Sequence, residues 1–202
     1  MVGVAKLVIA PGCGPGGRGF ESHHSPQKKH LQMQVLFLLT FKEIIMLTFV
    51  YLDKSKKNEY LPCLFDILYS NMKEISPIGF DKAEFISEVG SALEKDPRKI
   101  LLLYEGKTLA GFLMYYTREN MIMIEELQLV KKYQRTRALY HLCKYMIEAL
   151  PESIEYIESF VHKDNANSIS LQNWFGMTEI EKVNENLLHL RGNTKLLKSK
   201  IR

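Results

Sequence analysis

The residues best suited to chemistry lie between positions 125 and 139. Glu125 and Glu126 are adjacent carboxylates within a run rich in Met, Ile and Leu that ends at Val130. A polar segment, Lys131 to Arg137, follows, and apolar residues then recur at Leu139, Leu142, Cys143, Met146, Ile147 and Leu150. An apolar run, a break and a helical period read as strand, tight connection and helix. The first N–H groups of such a helix have no partner within it and carry partial positive charge past the strand end, where an anion is favoured. The unit is a candidate anion cradle. Arg135 and Arg137 could pair with phosphate there, or stand as solvated arginines at a helix start. The two glutamates also have two uses: accepting a proton, directly or through one water, or pairing with a nearby Lys or Arg. Strand alternation predicts that they face opposite sides, so that at most one enters a given cleft.

The elements that must hold this unit follow from Met46 onward. Met46–Asp53 reads as a strand. A helix opening at Lys57 or Asn58 carries Leu61, Leu64, Phe65, Ile67, Leu68 and Met72, and breaks at Ser76-Pro77-Ile78-Gly79. Asp81 can cap a second helix bearing Phe85, Ile86, Val89, Ala92 and Leu93, which Asp96-Pro97 ends. Ile100–Tyr104 and Thr108–Thr117 form a hairpin across Glu105-Gly106-Lys107. After the strand Asn120–Val130 and its helix come a strand at Ile154–His162 and a short helix within Asp164–Met177, stopped by Gly176. Strands Thr178–Val183 and Asn186–Arg191 close the series around a turn at Asn184-Glu185. The order is β-α-α-β-β-β-α-β-α-β-β, an α/β arrangement. At 202 residues, 46% hydrophobic and 25% charged, the chain suits one soluble domain.

Residues 1–45 differ from the rest. Six of the twelve glycines lie there, and no helical or strand period precedes residue 31. Such a segment buries too little apolar area to offset its ordering entropy and is expected to be disordered. The stretch GCGPGGRGFESHHSPQK also resembles the conceptual translation of the end of a transfer-RNA gene, which would make Met46 the natural start; the other reading is a genuine flexible leader. A secretory signal is not expected, since the apolar run Leu31 to Phe41 begins late and has no small-residue cleavage site. A membrane span over 31–50 would bury Lys42 near its centre at a cost of about 2.5 to 3.5 kcal/mol.

The full chain carries 27 basic and 23 acidic residues, a net +4. Five of the basic and two of the acidic residues lie in the leader, leaving 22 against 21, and nothing in that balance calls for nucleic acid. The basic end, residues 193–202 with Lys195, Lys198, Lys200 and Arg202, is expected to be a solvated tail. Cys13, Cys63 and Cys143 are too few and too scattered for a disulfide framework or a zinc site, which suits a reducing cytoplasm. His141, His162 and His189 are not at metal spacing, so no metal is expected. Cys143 falls on the apolar helix face, and Trp174 and Phe175 are expected to pack the short helix onto the sheet.

Residues 120–150 resemble the central strand, loop and helix of the GNAT superfamily of acyl-CoA N-acyltransferases. The strand end Glu125-Glu126-Leu127-Gln128-Leu129 and Gln134 match its pattern, whereas Arg137 and Leu139 stand where the family has glycines. Asp164–Met177 resembles a second family motif, with Asn165, Ser168, Leu171, Gly176 and Met177 in register, and the element order over 46–192 is the family's. The resemblance implies a GNAT-type, mostly antiparallel sheet with helices on both faces and transfer of acetyl from acetyl-CoA to a primary amine within a ternary complex. It implies backbone contacts to the acyl group and pantetheine at Leu129 and Lys131, a pyrophosphate site at Gln134, Arg135, Thr136, Arg137, Ala138 and Leu139, and a cofactor contact at Asn165. Glu125 or Glu126 would be the base. Gln172 replaces the tyrosine that often protonates the leaving thiolate, so Tyr115, Tyr116, Tyr140 or a water would have to act, or the thiolate would leave unassisted. A homodimer through edge strands is compatible with such a sheet. The alternative is a non-catalytic acyl-CoA-binding or protein-interaction module on the same fold.

Overall fold

A computed structural model of the chain describes residues 47–73, 75, 81–95, 97–134 and 136–201. The expectations for residues 1–45, Met46, the break at 76–79, Asp96 and Arg135 lie outside them. Strand β1 (Leu47–Tyr51) leads into α1 (Lys57–Met72) and α2 (Lys82–Lys95). Asp81 caps α2 as its sequence position predicts, with Oδ1 accepting the Glu84 N–H at 2.9 Å. Then come β2 (Lys99–Glu105), β3 (Thr108–Arg118), β4 (Met121–Leu129) and α3 (Ala138–Glu148), followed by β5 (Tyr156–His162), α4 (Ala166–Trp174), β6 (Thr178–Asn184), β7 (Leu187–Asn193) and α5 (Thr194–Lys200).

The seven strands form one sheet in the order β1-β2-β3-β4-β5-β7-β6. Strands joined by short turns pair antiparallel, while β4 and β5, separated by the α3 crossover, pair parallel. The central strands β2 to β5 are buried on both faces, whereas the edge strand β6 is exposed along its length. On one face, Leu61, Leu64, Val89 and Leu93 of α1 and α2 pack on Ile100, Leu102, Phe112 and Met114. On the other, Leu142, Met146, Leu171 and Leu197 of α3, α4 and α5 pack on Leu101, Leu113, Ile122, Val161 and Leu190. The expected mixed α/β order is therefore present, with α5 added after the last strand.

Two local expectations fail for packing reasons. The basic end is a helix: Leu197 and Ile201 are buried in the core while Lys195 and Lys200 stay exposed, because apolar residues four apart share one helical face. Trp174 does not pack onto the sheet. It is 52% exposed, covered by Lys200, whose Nζ lies 6.0 Å from the ring centroid, whereas Phe175 is buried.

Gly111 on β3 faces Leu129 on β4 at very close range. A Cβ there would run into the Gln128 carbonyl oxygen and Leu129, with the Leu129 Cα only 3.0 Å away. Gly111→Ala is therefore expected to lower stability by about 1 to 3 kcal/mol through overpacking, read from urea denaturation. An unchanged midpoint would mean that the two strands separate more easily than their packing implies.

Candidate functional site

The site begins with one extra residue. Across the β3–β4 ladder Met114 is opposite Glu126 and Tyr115 is opposite Ile124, so Glu125 has no counterpart and forms a β-bulge. The bulge changes the phase of the strand. Ile122 and Ile124 before it and Leu127 and Leu129 after it all belong to the cluster packed against α3. Glu125 and Glu126 therefore share the other face, which corrects the expectation of opposite faces drawn from strict alternation. Both are buried, at 8% and 3% exposure.

The same point starts a separation of strands. Pairing of β4 with β5 runs from Met121 opposite Tyr156 to Ile124 opposite Ser159 and stops there. β4 continues to Leu129 and β5 to His162 without pairing. The opening lies at the carboxyl ends of two parallel strands, the usual place for a ligand crevice in such sheets. The helices that follow these strands, α3 and α4, begin beside it.

Side chains take the place of the missing strand neighbour at Leu129. The Val130 N–H donates to the Ala110 carbonyl on β3 at 2.9 Å, so the Leu129 carbonyl, by alternation, faces away from β3. It accepts from Asn71 Nδ2 of α1 and from Gln134 Nε2, both at 3.0 Å. Gln134 Nε2 also donates to Asn71 Oδ1 at 2.9 Å, Asn71 Nδ2 to Gln128 Oε1 at 3.0 Å, and Gln128 Nε2 to Glu126 Oε2 at 2.9 Å. Glu125 is held differently. Arg98, just before β2, donates from Nε and Nη2 to its two carboxylate oxygens, and the pair is 15% and 9% exposed.

No protein-family model matches the sequence, and no curated protein does. Solved structures do match. An acetyltransferase from Thermus thermophilus aligns with a TM-score of 0.61 at 15% identity, covering 73% of this chain and 96% of that one. A GNAT-family acetyltransferase from Staphylococcus aureus aligns at 0.58 and 14% identity, covering 73% and 99%. The spermidine N-acetyltransferase from Vibrio cholerae, solved with CoA and spermine, aligns at 0.56 and 11% identity, covering 75% and 98%. The fold is the GNAT fold.

On the α3 side of the opening, the first helical bond runs from the His141 N–H to the Arg137 carbonyl, so the N–H groups of Arg137 to Tyr140 precede the helical ladder. One of them is satisfied within the chain, since Thr136 Oγ1 accepts from the Ala138 N–H at 3.1 Å while donating to the Tyr133 carbonyl at 2.8 Å. Lys131 and Arg137 are exposed, and Ala138 and Leu139 are buried. Of the two residues at glycine positions, Leu139 packs in the core and Arg137 is exposed.

On the far side, Asn165 caps α4 with Oδ1, accepting the Ser168 N–H at 3.1 Å. Its Nδ2 is a buried donor with no hydrogen-bond partner among the described residues. Such an orphan suits a ligand that brings acceptors, as the amides of an acyl-CoA arm would. Gln172, by contrast, is locked between Ser159 and Ser168: it accepts from Ser159 Oγ and donates to Ser168 Oγ at 3.0 Å.

Of the tyrosines named as alternative acids, Tyr115 and Tyr140 have their hydroxyls engaged within the fold. The Tyr115 hydroxyl bonds that of Tyr51 at 2.9 Å, and burial pushes its ionisation well above the usual range. The Tyr140 hydroxyl donates to the Ile201 carbonyl at 2.5 Å. Tyr116 stacks under Arg98, whose Cζ is 5.7 Å from the ring centroid. Among the described residues no three His, Cys, Asp or Glu gather as a metal site, and no helix is long and apolar enough to cross a membrane. A groove of about 310 Å³ lined by Lys144, Ile147, Glu148, Lys198 and Ile201 lies between α3 and α5.

The sequence reading missed Asn71 and Arg98. Asn71 carries a signal nonetheless: it follows Leu64 and Leu68 on the buried face of α1, a polar residue at an apolar position.

Arg98→Leu leaves a buried carboxylate unpaired and is expected to cost about 3 to 5 kcal/mol, largely recovered when Glu125→Leu is added. Denaturation of the three variants reads it, and a loss near zero for the single change would mean the pair is solvated. The Cys143 thiol is pushed up to about 12 by burial, while Cys63 is exposed. Alkylation of the native protein near neutral pH should label Cys63 and spare Cys143 by peptide mapping.

Proposed function

We propose that this chain is an acetyl-CoA-dependent N-acetyltransferase acting on a primary amine by direct transfer in a ternary complex. The observation that carries the proposal is the opening between β4 and β5, which starts at a bulge bearing two carboxylates on one face and ends beside the starts of α3 and α4. The α3 start would take the pyrophosphate on N–H groups between Gln134 and Leu139, with Arg137 beside them. Leu129 and Lys131 would contact the acyl and pantetheine parts through their backbone, and Asn165 Nδ2 would meet an acceptor of the arm.

In the reaction, the amine nitrogen attacks the thioester carbonyl carbon, forming the C–N bond as the C–S bond breaks. The proton lost by the amine passes to Glu125 or Glu126, directly or through water. Negative charge on the carbonyl oxygen is met by backbone N–H groups at the strand opening. With Gln172 locked, CoA leaves as the thiolate, which is tolerable for a thiol of pKa near about 8.5. Amines of the polyamine, aminoglycoside or lysine class suit acidic residues beside the cleft, and the spermine bound to the Vibrio cholerae neighbour supports that class.

The second reading, a non-catalytic acyl-CoA-binding or interaction module, is favoured by the locked Gln172 and by Thr136 occupying the Ala138 N–H. The full chain would be tested by calorimetry with acetyl-CoA and by turnover with spermidine, kanamycin and lysine methyl ester. Acetyl-CoA binding that weakens in Arg137→Glu, with turnover falling about 100-fold or more in Glu125→Gln or Glu126→Gln, supports the enzyme. Binding without turnover favours the acyl-CoA-binding module, and absence of binding removes the enzyme and leaves an interaction module.

A further inference from the structure

We propose that Asn71 of α1 is a positioning residue for acetyl transfer, setting both the wall of the opening and the orientation of Glu126. The inference rests on the acetyltransferase reading above and goes beyond it, since Asn71 touches neither substrate there.

Asn71 lies in the last turn of α1, between the buried Leu68 and Met72, at 9% exposure. A buried amide costs stability unless its hydrogen bonds are made, and here they are. Both hydrogens of Nδ2 are used, one on Gln128 Oε1 and one on the Leu129 carbonyl, each at 3.0 Å. Oδ1 accepts from Gln134 Nε2 at 2.9 Å. Gln128 is fully buried, and with its Oε1 turned to Asn71 its Nε2 is turned to Glu126.

The bonds therefore have one sense. Gln134 donates to Asn71, Asn71 to Gln128, and Gln128 to the Glu126 carboxylate. Only a side chain that both donates and accepts can occupy the middle of that chain. Asn71 thus ties three parts together: the loop that precedes α3, the strand end at the opening, and a candidate base at the bulge. A purely apolar residue would satisfy helix packing there, as Leu64 and Leu68 do, but would leave Gln128 Oε1 without its donor and the side chain that holds Glu126 unanchored.

Asn71→Asp keeps the shape and the acceptor for Gln134 but removes the donor, so Gln128 Nε2 is drawn to the new carboxylate and away from Glu126. Gln128→Met breaks the same chain with no new charge, which covers the case in which the buried carboxylate prevents folding. Each full-length variant is compared with wild type using acetyl-CoA and the panel amine turned over fastest, with thermal midpoint and calorimetric acetyl-CoA affinity measured beside kcat and KM. The expected result is a fall in kcat of about 100-fold in either variant, acetyl-CoA affinity within about threefold in Gln128→Met, which keeps the Asn71 bond to Leu129, and no further fall in kcat in the double variant, because both break one chain. Asn71→Ser, which still donates and accepts, should retain part of the activity that Asn71→Asp loses. Wild-type-like kcat in a folded variant, or losses that multiply in the double variant, would overturn the proposal while leaving the acetyltransferase reading intact. A wild-type protein that turns over none of the amines would take both down together.

Discussion

One extra residue in β4 sets up the rest of the site. Without Glu125 the strand would keep its alternation, and a single glutamate would face α1. The insertion instead places two carboxylates on one face and coincides with the last residue pair that joins β4 to β5. A bulge increases local twist and bends its strand, so the parting of the two strands and the placement of the glutamates have one cause. Strands that part leave backbone groups unpaired, and buried unpaired groups are costly. The Leu129 carbonyl is relieved of that cost by Asn71 and Gln134, which allows the opening to persist without β5 closing on it.

The sheet face on which α1 and α2 pack carries buried charge along β4 and β5. Glu125 is held by Arg98, Glu126 by Gln128, and on β5 Glu158 accepts from Arg191 Nε at 2.7 Å and bonds His189 Nε2 at 2.8 Å. Buried ion pairs of this kind contribute little net stability against apolar replacements. Their retention on one face, beside an opening, fits a surface shaped for polar chemistry better than one shaped for stability. The opposite face differs: Leu101, Leu113, Ile122 and Val161 there belong to the main apolar core, and its buried polar group of Ser159, Ser168 and Gln172 is uncharged.

Much of this was legible in the sequence because it depends on local periodicity. The strand, polar connection and helical repeat at 120–150 gave β4 and α3 within a residue or two, and Gly176, with a φ of +85°, marked the end of α4. What was not legible depends on register. Nothing in the letters Glu125-Glu126 announces that one residue is inserted relative to β3, because a bulge is defined by the partner strand. The Arg98–Glu125 pair spans 27 residues and the Asn71–Gln128 bond 57, so neither leaves a periodic trace. The terminal helix failed for a different reason: its lysines suggested a solvated tail, while Leu197 and Ile201, on one helical face, decided its fate.

The departures from the family's loop pattern can be weighed in the same terms. Glycines at the Arg137 and Leu139 positions would let a pyrophosphate approach the backbone with no side chain in the way. Here Leu139 is committed to the core beneath α3, and Arg137 extends into solvent at the helix start, where a cation can meet an anion from outside. Thr136 complicates the exchange, because its hydroxyl already accepts the Ala138 N–H. A hydroxyl can turn away when a phosphate oxygen offers a stronger, charge-assisted acceptor. On the proposed reading a pyrophosphate would have to displace that bond, lowering affinity by the cost of one neutral hydrogen bond, about 1 kcal/mol. Arg137 would then supply by its guanidinium an attraction that the GNAT pattern, with glycine at that position, draws from bare backbone.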